Sequence, residues 1–487
     1  MNRPIRLMSV GCILLFLALL LNVNYVQAWQ SDELNDQAAN TRARDAEFSR
    51  ERGPILVADD PIAESRPVDD TYQFQRRYNQ PLIYAHLTGF FSYRYDKTGV
   101  ELTENDFLSG DDPRLLVNRI IDLVTNEEPQ GGSALLTIDR VAQQAAFGGL
   151  MDLPANAKGA VVALRPDTGE ILAMSSVPTY DPNLIATHNF KQGAGNWRSL
   201  NNNPAQPMFN RAIQGRYPPG STFKLVTSAA ALSSGQYTPD TGVTGTAVLD
   251  LPQTDLVLRN HTGGSCGAEE ITLTQALAVS CNTAFGSVGM DLGPGALADQ
   301  AERFGFGQDV LDDLPSDAES VFPRNADQPQ TGYSAIGQFD VATTPLQMAM
   351  VAAGIANDGL VMKPYLISEL RSPDLDTVEE ADPQELSEAV TPEVAEQLQQ
   401  MMVEVTNNGT GESAQIEGIE VGSKTGTAER SSEQHPYAWF VSFAPVEDPQ
   451  VAVAVFVEDA NVPRSEITGG GLAGPIARAV MEAVINQ

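Results

Sequence analysis

The chain is predicted to be an α+β protein, built on one antiparallel sheet of about five strands with a helical lobe inserted in its middle. Three observations predict this. Two apolar stretches, residues 159–164 and 170–177, flank the turn signal Asp167-Thr168-Gly169 and read as a hairpin. Three more apolar runs, residues 419–428, 438–443 and 451–457, read as late strands, and a helical pattern over 472–485 closes the chain. Between the two groups, helical spacing recurs at 272–279, 283–292, 295–304, 344–356 and 391–406. The early and late strands can share one sheet only if the helical middle lies outside it.

In chain order, the first element is apolar. Arg3 and Arg6 precede a stretch from Leu7 that reaches Val26, about 20 residues and close to the length that spans a bilayer. Asp32, Glu33 and Asp36 follow it, with no basic residue before Arg42. The basic flank stays in the cytoplasm, so the chain after Trp29 is expected outside. The rival reading is a cleaved signal peptide ending at Val26-Gln27-Ala28, and the length of the stretch favours an anchor. Residues 30–60 are polar, with a patch of Arg42, Arg44, Arg50 and Arg52. From Pro61 to Gly110 short apolar runs alternate with Pro, Gly and Asp, which reads as a small, irregular, strand-bearing domain. A helix is expected around 114–124, a linker at 126–132, a strand at 135–138 and a helix at 140–150. The expected division is 1–28 tail and anchor, 29–157 a smaller N-terminal domain with its linker, and 158–487 the main domain.

Bulk numbers bound the function. With 487 residues, 42% hydrophobic and 19% charged, the chain is a folded protein of two or three domains. Its net charge of -33 argues against nucleic acid as a partner and against an electrostatic grip on anionic lipid. The four histidines, His86, His188, His261 and His435, show no metal-ligand spacing and read as surface or structural residues, so no metal and no cofactor is expected. The acidic run 374–385 reads as a solvated loop. Cys12 lies in the membrane stretch. Cys266 and Cys281 are the exported pair, 15 residues apart, and are expected to form a disulfide, the alternative being two buried thiols.

The candidate chemistry lies in three short stretches. In Tyr217-Pro218-Pro219-Gly220-Ser221-Thr222-Phe223-Lys224 the prolines and glycine break what precedes them, and an apolar helical run begins at Phe223. Ser221 therefore sits at a helix start, where free N–H groups favour developing negative charge, and Lys224 lies one turn on. This is a nucleophile with a candidate base; read alone, it is equally an N-cap serine beside an ordinary lysine. Ser280-Cys281-Asn282 after a helix reads alone as a capped turn, and Lys424-Thr425-Gly426-Thr427 in a strand as a surface hairpin. Their conjunction in this order, 59 and 203 residues after Ser221, is the motif set of serine acyl-transfer enzymes that act on penicillin.

The sequence resembles the class B penicillin-binding proteins, the monofunctional D,D-transpeptidases of peptidoglycan synthesis. The resemblance spans residues 135–487. It rests on Gly159-Ala160-Val161-Val162-Ala163-Leu164, Thr168-Gly169-Glu170-Ile171-Leu172-Ala173-Met174, Tyr180-Asp181-Pro182-Asn183, Asn210-Arg211-Ala212, Ile336-Gly337-Gln338, Thr344-Pro345-Leu346-Gln347, the run from Lys424 to Glu429, and Ala438-Trp439-Phe440. Arg52-Gly53 and Gly99-Val100-Glu101 match more weakly. Phe339-Asp340 departs from the family, where many members carry a glycine, and this touches nothing catalytic.

The resemblance implies a serine β-lactamase/transpeptidase-like domain on a dimerisation-type pedestal. Its implied partners are stem peptides ending in D-Ala-D-Ala, β-lactam antibiotics and a membrane glycosyltransferase of the division or elongation machinery, with a place in cell division. It implies Ser221 as nucleophile, Lys224 as base and Ser280 as proton relay. Asn282 would hold the substrate amide, and Lys424, Thr425 and Thr427 would hold its carboxylate. Gly426 would let substrate lie along the strand, and the N–H groups of Ser221 and Thr427 would form the oxyanion hole. A D,D-carboxypeptidase and a serine β-lactamase share the three stretches; for the latter the sequence shows no group that would activate water.

Overall fold

The structure, a computed structural model, describes residues 2–30, 41–116, 130–430 and 434–486. The apolar N-terminus is one helix, α1 (Asn2–Trp29), and over Arg3–Gln27 it is long and apolar enough to cross a membrane. A short helix, α2 (Thr41–Phe48), leads to the strands β1 (Ile55–Val57), β2 (Asp60–Pro67) and β3 (Phe74–Tyr78). The helix expected around 114–124 is described only as far as residue 116, where Pro113–Leu115 makes a single 3₁₀ turn. Its remainder, and residues 126–129 of the expected linker, lie outside the described residues. Then come β4 (Ser133–Leu136), α3 (Arg140–Met151), β5 (Lys158–Leu164), β6 (Ile171–Val177) and α4 (Phe190–Asn201).

The middle of the chain is helical, as its spacing predicts. It runs through α5 (Lys224–Ser233), α6 (Leu273–Ala278), α7 (Asn282–Arg303) and α8 (Pro345–Ala356). The two helical patterns at 283–292 and 295–304 are the halves of α7, which breaks at Gly293 just before Pro294. After α8 come β7 (Ile367–Arg371), β8 (Thr377–Glu380) and α9 (Pro392–Asn408). The last elements are β9 (Gly422–Ala428), β10 (Tyr437–Ala444), β11 (Val451–Asp459) and α10 (Gly474–Ile485).

The main sheet has five antiparallel strands in the order β9-β10-β11-β5-β6, so the first and last thirds of the chain meet at the β11–β5 pair. Both faces are covered, which is why these strands read as continuous apolar runs. Val161 and Ala163 of β5 join Val451, Val453 and Val455 of β11 in a core shared with α3 and α10. Ala160 and Val162, one residue out of phase, join Ala452, Ala454 and Phe456 in a core shared with α8 and the helical lobe. Although it precedes residue 157, α3 packs into the main body, through Ala142, Ala146 and Leu150.

A second sheet runs β8-β7-β4-β1-β2-β3. Its last two strands in sequence, β7 and β8, come from deep in the main domain, so the N-terminal region is stitched to the body by backbone hydrogen bonds. The acidic run 374–385, expected as a loop, is a correction: β8 lies within it and pairs with β7. Val378 packs on the core while Thr377, Glu379 and Glu380 stay exposed, and one buried side chain among charges leaves no readable alternation. Below this sheet Glu101 is fully buried. It accepts from Arg52 Nε at 2.6 Å, from Arg76 Nε at 2.6 Å and from the Tyr78 hydroxyl at 3.0 Å. The two guanidiniums overcome its desolvation and hold its carboxyl below the usual range.

Candidate active site

Ser221 lies in the 3₁₀ turn Gly220–Phe223, which runs straight into α5. Neither the turn nor the helix has a side-chain cap, so the N-cap reading of Ser221 does not apply. The turn is held from several directions. Tyr217 exchanges two backbone hydrogen bonds with Thr343, of 2.8 and 2.9 Å, and Gly220 N–H donates to Gly337 O at 2.9 Å. The buried Trp439 of β10 donates from Nε1 to Pro218 O at 3.0 Å. Gly220 has φ of 55°, and a Cβ there would stand 3.0 Å from Thr427 O, so the turn presses directly on β9. Gly426 answers it from the strand: a Cβ there would stand 3.0 Å from Pro219 O and 2.9 Å from Trp439 Cβ. The protein's own turn thus already requires glycine at 426.

Lys224 begins α5, whose residues from Lys224 to Leu232 are all buried. Its Nζ donates to Ser280 O at 2.7 Å, to Asn282 Oδ1 at 2.8 Å and to Ser280 Oγ at 3.2 Å. Lys424 reaches the same hydroxyl from β9, with Nζ 2.9 Å from Ser280 Oγ and 2.9 Å from Thr425 O. One hydroxyl therefore sits between two fully buried amines. Burial, and next the charge of Lys424, hold Lys224 well below the usual lysine range. Burial alone lowers Lys424 to about 7.

The three stretches meet because α6 ends at the left-handed Ser280, with φ of 57°, and α7 starts two residues later. Asn282 opens α7 and donates from Nδ2 to Arg259 O at 3.0 Å. Cys281 between them is bonded to Cys266, with the two Cα atoms 5.9 Å apart. Ser221, Ser280, Asn282 and Thr427 keep partial solvent exposure while both lysines are closed off, so a ligand meets hydroxyls, an amide and the strand edge first. Strand β9 is the edge of its sheet, open to an added strand. The Thr425 hydroxyl lies 2.6 Å from that of Thr410. Among the described residues no cluster of His, Cys, Asp or Glu could hold a metal ion.

Of the site residues named from sequence, Lys224, Ser280, Asn282 and Lys424 form one hydrogen-bonded group, and the turn that carries Ser221 packs against β9 at Gly426 and Thr427. Sequence reasoning missed Arg259 and Asn260, which hold the start of α7, and Trp439 and Gly337 as clamps on the Ser221 turn. Each acts across a long sequence separation; Gly337 and Trp439 stand in stretches that match the family, but nothing local shows that they clamp the turn, and Arg259 and Asn260 stand in no such stretch.

Similarity to known proteins covers most of the chain. Residues 159–482 match the penicillin binding protein transpeptidase domain, and residues 52–134 the penicillin binding protein A dimerisation domain. The chain is 41% identical, over 497 residues and 100% of both chains, to the peptidoglycan D,D-transpeptidase PbpA of Mycolicibacterium smegmatis. It is 41% identical over 491 residues to the protein of the same name from Mycobacterium tuberculosis, covering 100% of this chain and 99% of that one. Its fold superposes on penicillin-binding protein A of M. tuberculosis, solved as a penicillin G acyl-enzyme complex, with a TM-score of 0.84 and 42% identity. The superposition covers 90% of this chain and 100% of that one.

Proposed function

Because this chain belongs to the penicillin-binding protein transpeptidase family and is a serine-type peptidoglycan D,D-transpeptidase of cell-wall synthesis, we propose that Ser221 is its nucleophile and Lys224 its base. One observation carries the assignment: the Ser280 hydroxyl is shared by two buried lysines, one of them a single turn from Ser221. An amine acts as a base only in its neutral form, and burial beside a second cation favours that form.

The reaction runs in two halves. Ser221 Oγ attacks the carbonyl carbon of the penultimate D-Ala of a stem peptide, and its proton passes to Lys224 Nζ. The tetrahedral oxyanion is held by the N–H groups of Ser221 and Thr427. When it collapses, the C–N bond to the last D-Ala breaks, and that amine takes the proton through Ser280. An acceptor amine from a second stem then attacks the ester. It gives up a proton along the same route in reverse and regenerates Ser221 as the cross-link forms. Asn282 has one Nδ2 proton left for a substrate carbonyl, and Lys424 with Thr427 attracts the terminal carboxylate. β-Lactams bind the same site and stop at the acyl-enzyme.

The fold supports a body exported beyond a single-pass anchor. Arg3 and Arg6 flank the inner end of α1, and the disulfide needs an oxidising compartment. A cross-linking enzyme also needs nascent glycan, so a membrane glycosyltransferase is the partner this reaction requires. The test is incubation of the full chain with a fluorescent penicillin and mapping of the labelled peptide. Ser221→Ala is expected to lose all label, and Lys224→Ala nearly all, because removing either member of a coupled pair costs about as much as removing both. Label on Ser221→Ala in the same peptide, or wild-type labelling of Lys224→Ala, would overturn the assignment.

A further inference from the structure

Asn260 lies outside the three stretches, at the end of the short strand Val257–Arg259, and is buried with 7% exposure. Its side chain uses every hydrogen-bonding position it has. Oδ1 accepts from the N–H groups of Asn282 at 2.9 Å and Thr283 at 3.1 Å, and Nδ2 donates to Thr246 O at 3.0 Å and Gly264 O at 2.9 Å. A helix leaves its first N–H groups without internal partners, and a neighbouring side chain normally takes them. In α7 the preceding residue is Cys281, which is committed to the disulfide and makes no cap bond. Asn260 does that work from 22 residues away.

The same dipeptide also orients the Asn282 side chain. Arg259 O can only accept, so it draws Asn282 Nδ2 toward itself, and Oδ1 is left facing Lys224 Nζ at 2.8 Å. Backbone and side chain of Asn282 are thus both set by residues 259 and 260. We propose that Asn260 is a positioning residue of the transpeptidase: by capping α7 from the loop it sets the place of Asn282 against Lys224. The proposal rests on the reading of Lys224 as the base.

Lys224 is faced by Lys424 across Ser280, by the Asn282 amide and by the ring of Phe285, whose centroid lies 5.6 Å from Nζ. Among the described residues the charge acting on it is that of Lys424.

The experiment measures second-order acylation by a fluorescent penicillin as a function of pH, on the full chain in detergent, below each variant's melting temperature. Asn260→Ala frees the helix start and is expected to acylate roughly tenfold more slowly, since small misplacements of reacting groups cost rates of that order. Asn260→Asp keeps the oxygen that caps α7 but loses both Nδ2 donations, to Thr246 O and Gly264 O, and is expected to fall between Asn260→Ala and wild type in rate. A purely structural residue would lower the melting temperature of both and leave the acylation rate of the folded protein unchanged. That result, in either variant, overturns the proposal. Ser221→Ala is run alongside. If it is labelled, the assignment of the nucleophile fails. If it is silent while Asn260→Ala acylates at the wild-type rate, only the positioning role fails.

Discussion

In the mechanism proposed above, Lys224 and Lys424 divide two tasks that one amine could not perform at one pH. Lys224 must lose its proton to accept one from Ser221, and Lys424 must keep its proton to attract a carboxylate. Burial lowers both, and the charge on Lys424 lowers Lys224 further, so the base deprotonates first as pH rises. Acylation is therefore expected to climb with pH as Lys224 becomes neutral and to fall as Lys424 loses its charge near 7. Lys424→Ala removes the cation, so the Lys224 pKa rises and the acid limb moves to higher pH by about one unit, with weaker binding of substrate. Lys424→Arg keeps the charge with another geometry and restores part of the binding. Pre-steady-state acylation profiles of the three proteins check this. A Lys424→Ala profile with an unmoved acid limb would show that the two lysines do not interact.

At the scale of elements, the proposed mechanism depends on how three segments are held. The 3₁₀ turn is held by Thr343, Gly337 and Trp439, and β9 is held by its ladder to β10. The junction of α6 and α7 is held by Asn260 and by the Cys266–Cys281 bridge. That bridge closes a loop with a separation of 15 residues, for which chain entropy predicts about 3 kcal/mol of stabilisation. Thiol counting on the unreduced, denatured chain should find one thiol, that of Cys12. The Cys266→Ser, Cys281→Ser double variant should melt lower and acylate several-fold more slowly, because Ser280 and Asn282 flank the lost bridge. Three free thiols in the native protein would sink this. The strand β8 escaped the sequence reading because a four-residue element on a polar surface carries too few buried side chains to show a period.

The whole molecule is more interleaved than the linear division at residue 157 suggests. Strands β7 and β8 complete the N-terminal sheet, while α3 completes the packing of the main one. The Arg52–Glu101–Arg76 group locks the N-terminal side, and breaking one partner of such a buried pair costs about 3–5 kcal/mol. Two of its three residues, Arg52 and Glu101, lie in the Arg52-Gly53 and Gly99-Val100-Glu101 matches seen in the sequence; Arg76 does not. This body is expected to hang from an uncleaved α1. N-terminal sequencing of the native protein should return the residues at the start of the chain, and a mature protein starting near Trp29 would overturn the anchor.

The sheet, the helical lobe and the three candidate catalytic stretches were legible in the sequence alone. Each of these is written in local residue order: apolar runs, turn signals, and a serine with a lysine one turn on. Tertiary structure alone decided which distant groups close the site: Asn260 over the start of α7, Trp439 on Pro218, and Ser280 between two lysines that lie 200 residues apart in the chain. Burial is a property of packing, not of residue type. The same lysine is an exposed cation on a surface helix and a base when the lobe, the sheet edge and a second amine enclose it.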